Sequence, residues 1–205
     1  MTYVKICGIT NLEDALAAVA AGADMLGFNF YRPSPRFIEP FAARAIIDHL
    51  PAELMTVGVF VNEQSTASLD QIAETAGVSA LQLHGDESPD FCEQLKHRYV
   101  IKVLAAKRNF DPTRASQYNV AAIMLDAFDK NLRGGTGQKI DWSLARRTRE
   151  LVLRLFLAGG LSPENVAAAI AAVEPYAVDA CSALETSPGK KDPQRMRAFV
   201  QAAKK

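Results

Sequence analysis

Two side chains in this sequence are of the right type, and in the right place, to move protons on a substrate. Cys7 ends a β-rich run and is followed by Gly8, which lets the backbone or a ligand come close. A lone cysteine is most often an inert apolar side chain. As a base near neutral pH, the Cys7 thiol needs a pKa below its ordinary value of ~8.5, and Lys5 could supply the cation that lowers it.

Asp126 is the matching candidate for an acid. It ends the apolar run AAIML and opens a long segment, Ala127–Gly137, that contains GGTG. The residue either caps a turn or donates a proton to a leaving oxygen, and the residues alone leave both interpretations open. In the second case the glycine-rich segment would fold over the site and exclude water, which favours the neutral carboxylic acid.

A glycine pair before a helix start indicates a phosphate site. LAGGLSPENV (Leu157–Val166) runs from a predicted strand through Gly159 and Gly160 to a predicted helix that Ser162 caps. Glycines let the backbone approach a ligand, and free amides at a helix start attract an anion. CSALE (Cys181–Glu185) is expected to form the short extra helix that completes such a site in many barrels. We favour phosphate binding over a tight capped turn.

Arg36 and His84 are two further candidates for functional residues. Arg36 lies in RPSPR, a segment stiffened by prolines, where a guanidinium group would either hold a substrate carboxylate or stay solvated. The residues alone do not decide between these. His84, in LQLHGDE, is interpreted as a residue that orients a catalyst rather than as a catalyst itself.

These candidates lie at the ends of β-rich runs that alternate with helical ones along the whole chain. The predicted strands are Tyr3–Ile9, Met25–Phe30, Met55–Val61, Ala80–Leu83, Tyr99–Val103, Ala122–Leu125, Leu153–Ala158 and Ala177–Cys181. The predicted helices are Leu12–Ala21, Phe41–His49, Ser65–Ala76, Pro89–Lys96, a weaker Pro112–Gln117, Trp142–Glu150, Asn165–Val173 and Pro193–Ala203. Eight such units predict an α/β fold, a single-domain (β/α)8 TIM barrel over residues 1–205, in preference to an open doubly wound sheet.

Strand alternation then gathers the polar side chains. Successive residues of a strand face opposite sides, and the chemistry of such barrels lies at the carboxyl ends of the strands. If the face of each strand that carries the polar side chains points into the barrel, one mouth of the barrel is lined by Lys5, Cys7, Gln82, His84, Asp126 and Asp179. We expect Lys5, Gln82, His84 and Asp179 to support the catalytic pair rather than to react.

The composition narrows the class of protein. Hydrophobic residues make up 49% and charged residues 22% of the 205 residues, and the formal net charge is zero. This predicts a globular protein with no nucleic-acid or membrane partner, since neither a broad basic surface nor a long apolar run is present. Three scattered cysteines without metal-ligand spacing predict a reducing, cytoplasmic location and no bound metal. A monomer and a homodimer both remain open.

Seven segments, in order and covering essentially the whole chain, resemble the phosphoribosylanthranilate isomerase family. They are KICGIT (Lys5–Thr10), GFNFYRPSPR (Gly27–Arg36), VGVFVN (Val57–Asn62), LQLHGDE (Leu81–Glu87), LDA with GGTG (Leu125–Ala127, Gly134–Gly137), LAGGLSPENV (Leu157–Val166) and VDACSALETSPGKKD (Val178–Asp192). KICGIT together with LQLHG is specific for this family among barrels, whereas the phosphate segments alone are not.

The resemblance implies an enzyme of tryptophan biosynthesis that acts without cofactor or metal on a small phosphosugar. The reaction is the Amadori rearrangement of N-(5-phosphoribosyl)anthranilate to 1-(2-carboxyphenylamino)-1-deoxyribulose 5-phosphate. Asp126 matches the acid that protonates the ring oxygen, Cys7 the base that then removes a carbon-bound proton, and Arg36 the anchor of the anthranilate carboxylate. The implied phosphate ligands are the backbone amides of Gly159, Gly160, Ser182 and Ala183.

The chain departs from the family at one place. Members usually carry Ser-Ser-Gly where this chain has Cys181, Ser182 and Ala183. If position 183 needs a left-handed backbone, alanine there would cost about 1–2 kcal/mol.

Other functions remain as alternatives. The nearest is the histidine-pathway isomerase or an enzyme of both pathways, although that relative has aspartate at the position of Cys7 and two similar phosphate segments. A ribulose-phosphate epimerase would need metal-binding histidines on several strands. A barrel that binds a phosphorylated ligand without catalysis is the alternative from a different class.

Overall fold

Eight short apolar runs form the strands of a closed barrel. The computed structural model describes residues 1–106, 110–127 and 141–205. All eight strands are parallel, each pairs with the next, and the eighth pairs with the first, which confirms the predicted single-domain TIM barrel. They are β1 (Tyr3–Cys7), β2 (Met25–Asn29), β3 (Met55–Phe60), β4 (Ala80–Leu83), β5 (Tyr99–Ala106), β6 (Ala122–Ala127), β7 (Leu155–Leu157) and β8 (Ala177–Ala180).

The helices between the strands begin at capping residues. They are α1 (Leu12–Ala21), α2 (Pro40–Ile47), α3 (Thr66–Ala76), α4 (Pro89–Glu93), α5 (Trp142–Arg149), α6 (Val166–Val173) and α7 (Pro193–Ala203). Ser65 and Ser88 accept hydrogen bonds from backbone amides in the first turns of α3 and α4, as expected of N-caps. No helix among the described residues is both long and apolar enough to cross a membrane.

Side chains of the strands alternate between two cores. The inward positions fill the barrel with Met25, Val57, Ala80, Ile101, Val103, Ala122, Met124, Phe156, Ala158 and Ala177. The outward positions, among them Ile6, Leu26, Leu81 and Leu125, join the larger core under the helices. Because the inward face is set by this alternation, it also decides which polar residues reach the mouth of the barrel.

Several predicted boundaries were wrong by a few residues. β1 ends at Cys7 rather than Ile9, and β7 is limited to Leu155–Leu157. Asp126 lies within β6 and does not follow it. The Ala127–Gly137 segment with GGTG falls largely outside the described residues.

Two connections also differ from the prediction. α4 is only five residues long, and the weak fifth helix is a 3₁₀ helix, Pro112–Gln117. After β8 a 3₁₀ turn, Ser182–Leu184, leads into an antiparallel hairpin of β9 (Glu185–Ser187) and β10 (Lys190–Lys191). The 3₁₀ turn confirms the expected short extra helix, whereas the hairpin was not predicted.

Candidate active site

The barrel interior becomes polar at the carboxyl ends of four strands. β1 contributes Lys5 and Cys7, β6 contributes Asp126, and β8 contributes Asp179. β4 contributes Gln82, and His84 directly follows this strand. Register partners of these residues belong to the inward face, as with Lys5, which lies beside Met25 and Asp179. The structure therefore brings all six residues that were predicted to line the mouth to one end of the barrel.

Lys5 and Asp179 form a buried ion pair under this mouth. Nζ of Lys5 donates to Oδ1 of Asp179 at 2.8 Å. Burial raises the pKa of Asp179 to about 6, and the charge of Lys5 only partly offsets this. Burial lowers the pKa of Lys5, but the negative charges of Asp179 and Cys7 outweigh it and raise this pKa above its ordinary value. Lys5 is therefore a permanent cation at the base of the site.

Cys7 lies among hydrogen-bond donors and cations. The hydrogen bond with Cys181 lowers the pKa of the Cys7 thiol most, burial opposes it, and the charges of Lys5 and Lys191 lower it further. The net effect holds this pKa well below its ordinary value, which favours the thiolate. Gly27, on the neighbouring strand β2, pairs with Cys7. A Cβ on Gly27 would stand 2.7 Å from the Cys7 sulfur.

Asp126 is linked to His84 and Gln82 in a short polar chain. Nε2 of Gln82 lies 3.4 Å from Nδ1 of His84, and Nε2 of His84 lies 3.3 Å from Oδ2 of Asp126. With the amide of Gln82 donating to Nδ1, the ring proton is on Nε2 and points at the carboxyl group. His84 can therefore orient the carboxyl of Asp126 toward the mouth.

Arg36 is bound by a carboxylate of its own chain. Its Nε and Nη2 donate to the two oxygens of Glu185 at 2.8 and 2.7 Å, and Nζ of Lys191 approaches Glu185 at 2.8 Å. Burial raises the pKa of Glu185, but Arg36 and Lys191 outweigh it and leave this pKa below its ordinary value. Among the described residues, Nη1 of Arg36 has no hydrogen-bond partner and stays available to a second anion.

The turn after β7 has the geometry expected from its glycines. Gly159 and Gly160 have φ of 84° and 69°, in the left-handed region that glycine adopts at little cost. The predicted N-cap Ser162 was wrong, because α6 begins at Val166 with Asn165 as its N-cap. Instead, Asn165 ties the turn together: its Oδ1 accepts from the amide of Ser162, and its Nδ2 donates to the carbonyl of Gly160.

Ser182 and Ala183 lie in the 3₁₀ turn that follows β8, the strand that pairs with β7. Ala183 does not have a positive φ. The strain that an alanine would carry in a left-handed backbone therefore does not arise at this position.

Two buried ion pairs were missed by the sequence interpretation. The first joins Glu185 and Lys191 beside Arg36, and the Ser-Pro-Gly turn between the two residues is a hairpin pattern that could have indicated it. The second joins Lys102 on β5 to Glu87, with an Nζ to Oε2 distance of 2.6 Å. Glu87 also accepts from the amide of Gly85, directly after His84.

The mouth thus combines a thiol whose pKa is lowered, a carboxyl group on another strand, and a guanidinium group with one free edge. Within the described ranges, no group of three or more acidic, histidine or cysteine side chains could hold a metal ion. The arrangement suits two proton transfers on an anionic substrate.

Known proteins resemble this chain over its full length. A family model described as PRAI, N-(5'phosphoribosyl)anthranilate (PRA) isomerase, matches residues 4–202. N-(5'-phosphoribosyl)anthranilate isomerase of Citrifermentans bemidjiense is 47% identical over 205 residues, which are 100% of this chain and 98% of that protein.

Solved structures of phosphoribosyl anthranilate isomerases also resemble this chain. Phosphoribosyl anthranilate isomerase from Thermotoga maritima has a TM-score of 0.92 and 44% identity, over 100% of this chain and 99% of the other. A phosphoribosyl anthranilate isomerase in complex with reduced 1-(o-carboxyphenylamino)-1-deoxyribulose 5-phosphate has a TM-score of 0.89 and 44% identity with the same coverage. The chain is therefore an isomerase and belongs to the N-(5'-phosphoribosyl)anthranilate isomerase family.

Proposed function

We propose that this chain converts N-(5-phosphoribosyl)anthranilate to 1-(2-carboxyphenylamino)-1-deoxyribulose 5-phosphate in tryptophan biosynthesis, with Cys7 as base and Asp126 as acid. The observation that carries the assignment of roles is the pairing, at one mouth, of a thiol with a strongly lowered pKa and a carboxyl group in contact with an imidazole. Membership of the family supports the choice of substrate.

The acid step opens the sugar ring. The protonated carboxyl of Asp126 donates its proton to the furanose oxygen, the bond between that oxygen and C1 breaks, and a protonated Schiff base forms with the anthranilate nitrogen. His84, 3.3 Å from Oδ2, holds the carboxyl in one orientation. Proton donation to the leaving oxygen matters because an alkoxide is a poor leaving group.

The base step makes the ketose. The Cys7 thiolate removes the proton from C2, the electron pair moves toward the iminium nitrogen, and the resulting enolamine tautomerises to the ketone. β1 and β6 are separated around the barrel by β7 and β8. Cys7 and Asp126 therefore reach the substrate from different sides, as two proton transfers at different atoms require.

Two anion sites would hold the ends of the substrate. Arg36 offers Nη1 to the anthranilate carboxylate while Glu185 fixes the rest of the guanidinium plane. The phosphate would bind backbone amides of Gly159, Gly160, Ser182 and Ala183, at the carboxyl ends of the neighbouring strands β7 and β8. Lys5, Gln82, His84 and Asp179 would act through the catalytic pair.

The test is turnover of freshly made substrate, followed as loss of its anthranilate-type fluorescence. The wild type should react, whereas Cys7→Ser and Asp126→Asn should each lose on the order of 10²–10⁴-fold in kcat. Cys92→Ala is the matched control, because Cys92 is a buried cysteine on α4, away from the mouth. A variant that keeps full activity would remove its residue from the mechanism. Turnover of only the histidine-pathway substrate would contradict the assigned reaction.

A further inference from the structure

Cys181 lies beside Cys7 at the mouth of the barrel. β1 and β8 pair in parallel register, with Lys5 next to Asp179 and Ile6 next to Ala180. The next step of this register brings Cys7 to Cys181, on the same inward face. A Cβ on Gly8, the residue after Cys7, would stand 2.9 Å from the sulfur of Cys181. Two thiols therefore lie on neighbouring strands where the proposed reaction needs one base.

The proton of Cys181 has two acceptors within reach. Its Sγ lies 3.8 Å from Oε1 of Glu185. That oxygen already accepts from Nε of Arg36 and Nζ of Lys191, each at 2.8 Å, and from the amide of Gly189 at 3.4 Å. Because Oε1 is saturated by two charged donors, the thiol proton of Cys181 is better used by the negatively charged sulfur of Cys7.

With Cys7 as the base, the negative charge lies on Cys7 rather than on Cys181. Lys5 reaches Cys7 from below, and Nζ of Lys5 and Sγ of Cys7 would both lie within 3.1 Å of a Cβ on Gly27. In agreement, the pKa of Cys7 is lowered well below its ordinary value, and the pKa of Cys181 is raised well above it by the hydrogen bond and by burial. The charged or titratable groups that act on the pair are Lys5, Arg36, Asp179, Glu185 and Lys191, with Asp126 acting on Asp179.

We propose that Cys181 is a positioning residue for the base: its thiol donates a hydrogen bond to the Cys7 thiolate and holds that sulfur charged and aimed at the substrate. This inference rests on the proposed role of Cys7 in proton abstraction. Nζ of Lys191, 3.7 Å from the Cys181 sulfur, donates to it and keeps the Cys181 side chain in place. The hydroxyl of a serine at position 181 would make the same donation.

The test compares Cys181→Ala with Cys181→Ser by the pH dependence of alkylation. Iodoacetamide reacts with the thiolate, and peptide mass spectrometry reports the rate at Cys7 separately from the other cysteines. In Cys181→Ala the midpoint for Cys7 should rise by about 1 pH unit, the effect of losing one hydrogen bond to a charged group, so that the rate at pH values below the midpoint falls about tenfold. In Cys181→Ser and in the control Cys92→Ala it should stay at the wild-type value.

The acid limb of kcat/KM should move together with the alkylation midpoint. An unchanged midpoint in Cys181→Ala would overturn the inference, and so would an equal rise in Cys181→Ala and Cys181→Ser, since serine keeps the donor. If the alkylation midpoint of Cys181→Ala rises but the acid limb does not move, the hydrogen bond stands and the role of Cys7 as base fails. The two proposals therefore fail in different ways.

Discussion

Replacement of Lys5 by methionine should destabilise the fold in a strongly pH-dependent way. Lys5 has no exposed side-chain surface and forms its 2.8 Å ion pair with Asp179, whose side chain is 9% exposed. Methionine fills a similar volume but leaves a buried carboxyl without its cation. Breaking a buried pair from one side typically costs about 3–5 kcal/mol.

The ability of Asp179 to take up a proton sets a ceiling on this cost. Without Lys5, the folded protein keeps Asp179 protonated near neutral pH, whereas the unfolded chain, with a pKa of ~3.9, releases that proton. Holding the proton costs the variant about 1.4 kcal/mol per pH unit, or about 4 kcal/mol near pH ~7, and the raised pKa of Asp179 means that the wild type already bears about 3 kcal/mol of this cost. In the wild type the pKa of Asp179 is about 6.

The two pKa values of Asp179 decide how the loss of stability changes with pH. A carboxyl whose pKa is higher in the folded state than in the unfolded state loses stabilisation as pH rises toward the folded value. Above about pH 6 the wild type has already passed that point, but the Lys5→Met variant has not. The difference in the free energy of unfolding should therefore widen by about 1.4 kcal/mol per unit from about pH 6 to pH 8.

Urea unfolding at three pH values measures this difference. Lys204→Met is the matched control, because Lys204 pairs with Asp24 at 3.0 Å at the surface, with side chains 29% and 28% exposed. We expect the control to change stability by less than about 1 kcal/mol at every pH. A loss in Lys5→Met that is as small as in the control, or that does not vary with pH, would refute the reasoning.

Two further substitutions probe the packing of the site. Gly27→Ala places a Cβ 2.7 Å from the sulfur of Cys7, so kcat/KM should fall at least about tenfold and stability by about 1–3 kcal/mol. Gly58→Ala meets aromatic rings at 2.8 and 2.9 Å in the outer core, and it should lose similar stability but keep its activity per folded molecule. Equal activity in both would contradict the close approach at Cys7. Lys102→Met leaves the buried Glu87 without its cation, so urea unfolding should show a loss of about 3–5 kcal/mol; a change below about 1 kcal/mol would contradict the importance of this pair.

The barrel and the residues at its mouth could be predicted because they follow from local patterns. Eight β-rich runs separated by helical ones leave few other topologies. The alternation along each strand then assigns the inward side chains, as with Lys5 beside Asp179. Both the topology and the inward face of each strand follow from the sequence pattern, without knowledge of any interatomic distance.

The partners of several charged residues could not be predicted, because they depend on contacts between distant parts of the chain. Arg36 and Glu185 are 149 residues apart. Lys102 stands on the outward face of β5, where it is buried only because the segment after β4 brings the carbonyl of Gly85 and the carboxylate of Glu87 to it. The N-cap moved from Ser162 to Asn165 because the side chain of Asn165 bonds back across the turn.

The most direct test of the two-residue mechanism is the isotope effect of substrate deuterated at C2 of the sugar, measured in the wild type, Cys7→Ser and Asp126→Asn. If Cys7 removes the C2 proton, Cys7→Ser should slow that step and enlarge the isotope effect on kcat/KM. If Asp126 opens the ring, Asp126→Asn should make ring opening limiting and abolish the isotope effect. An isotope effect that is the same in all three proteins, or is abolished in Cys7→Ser and enlarged in Asp126→Asn, would contradict the assigned roles.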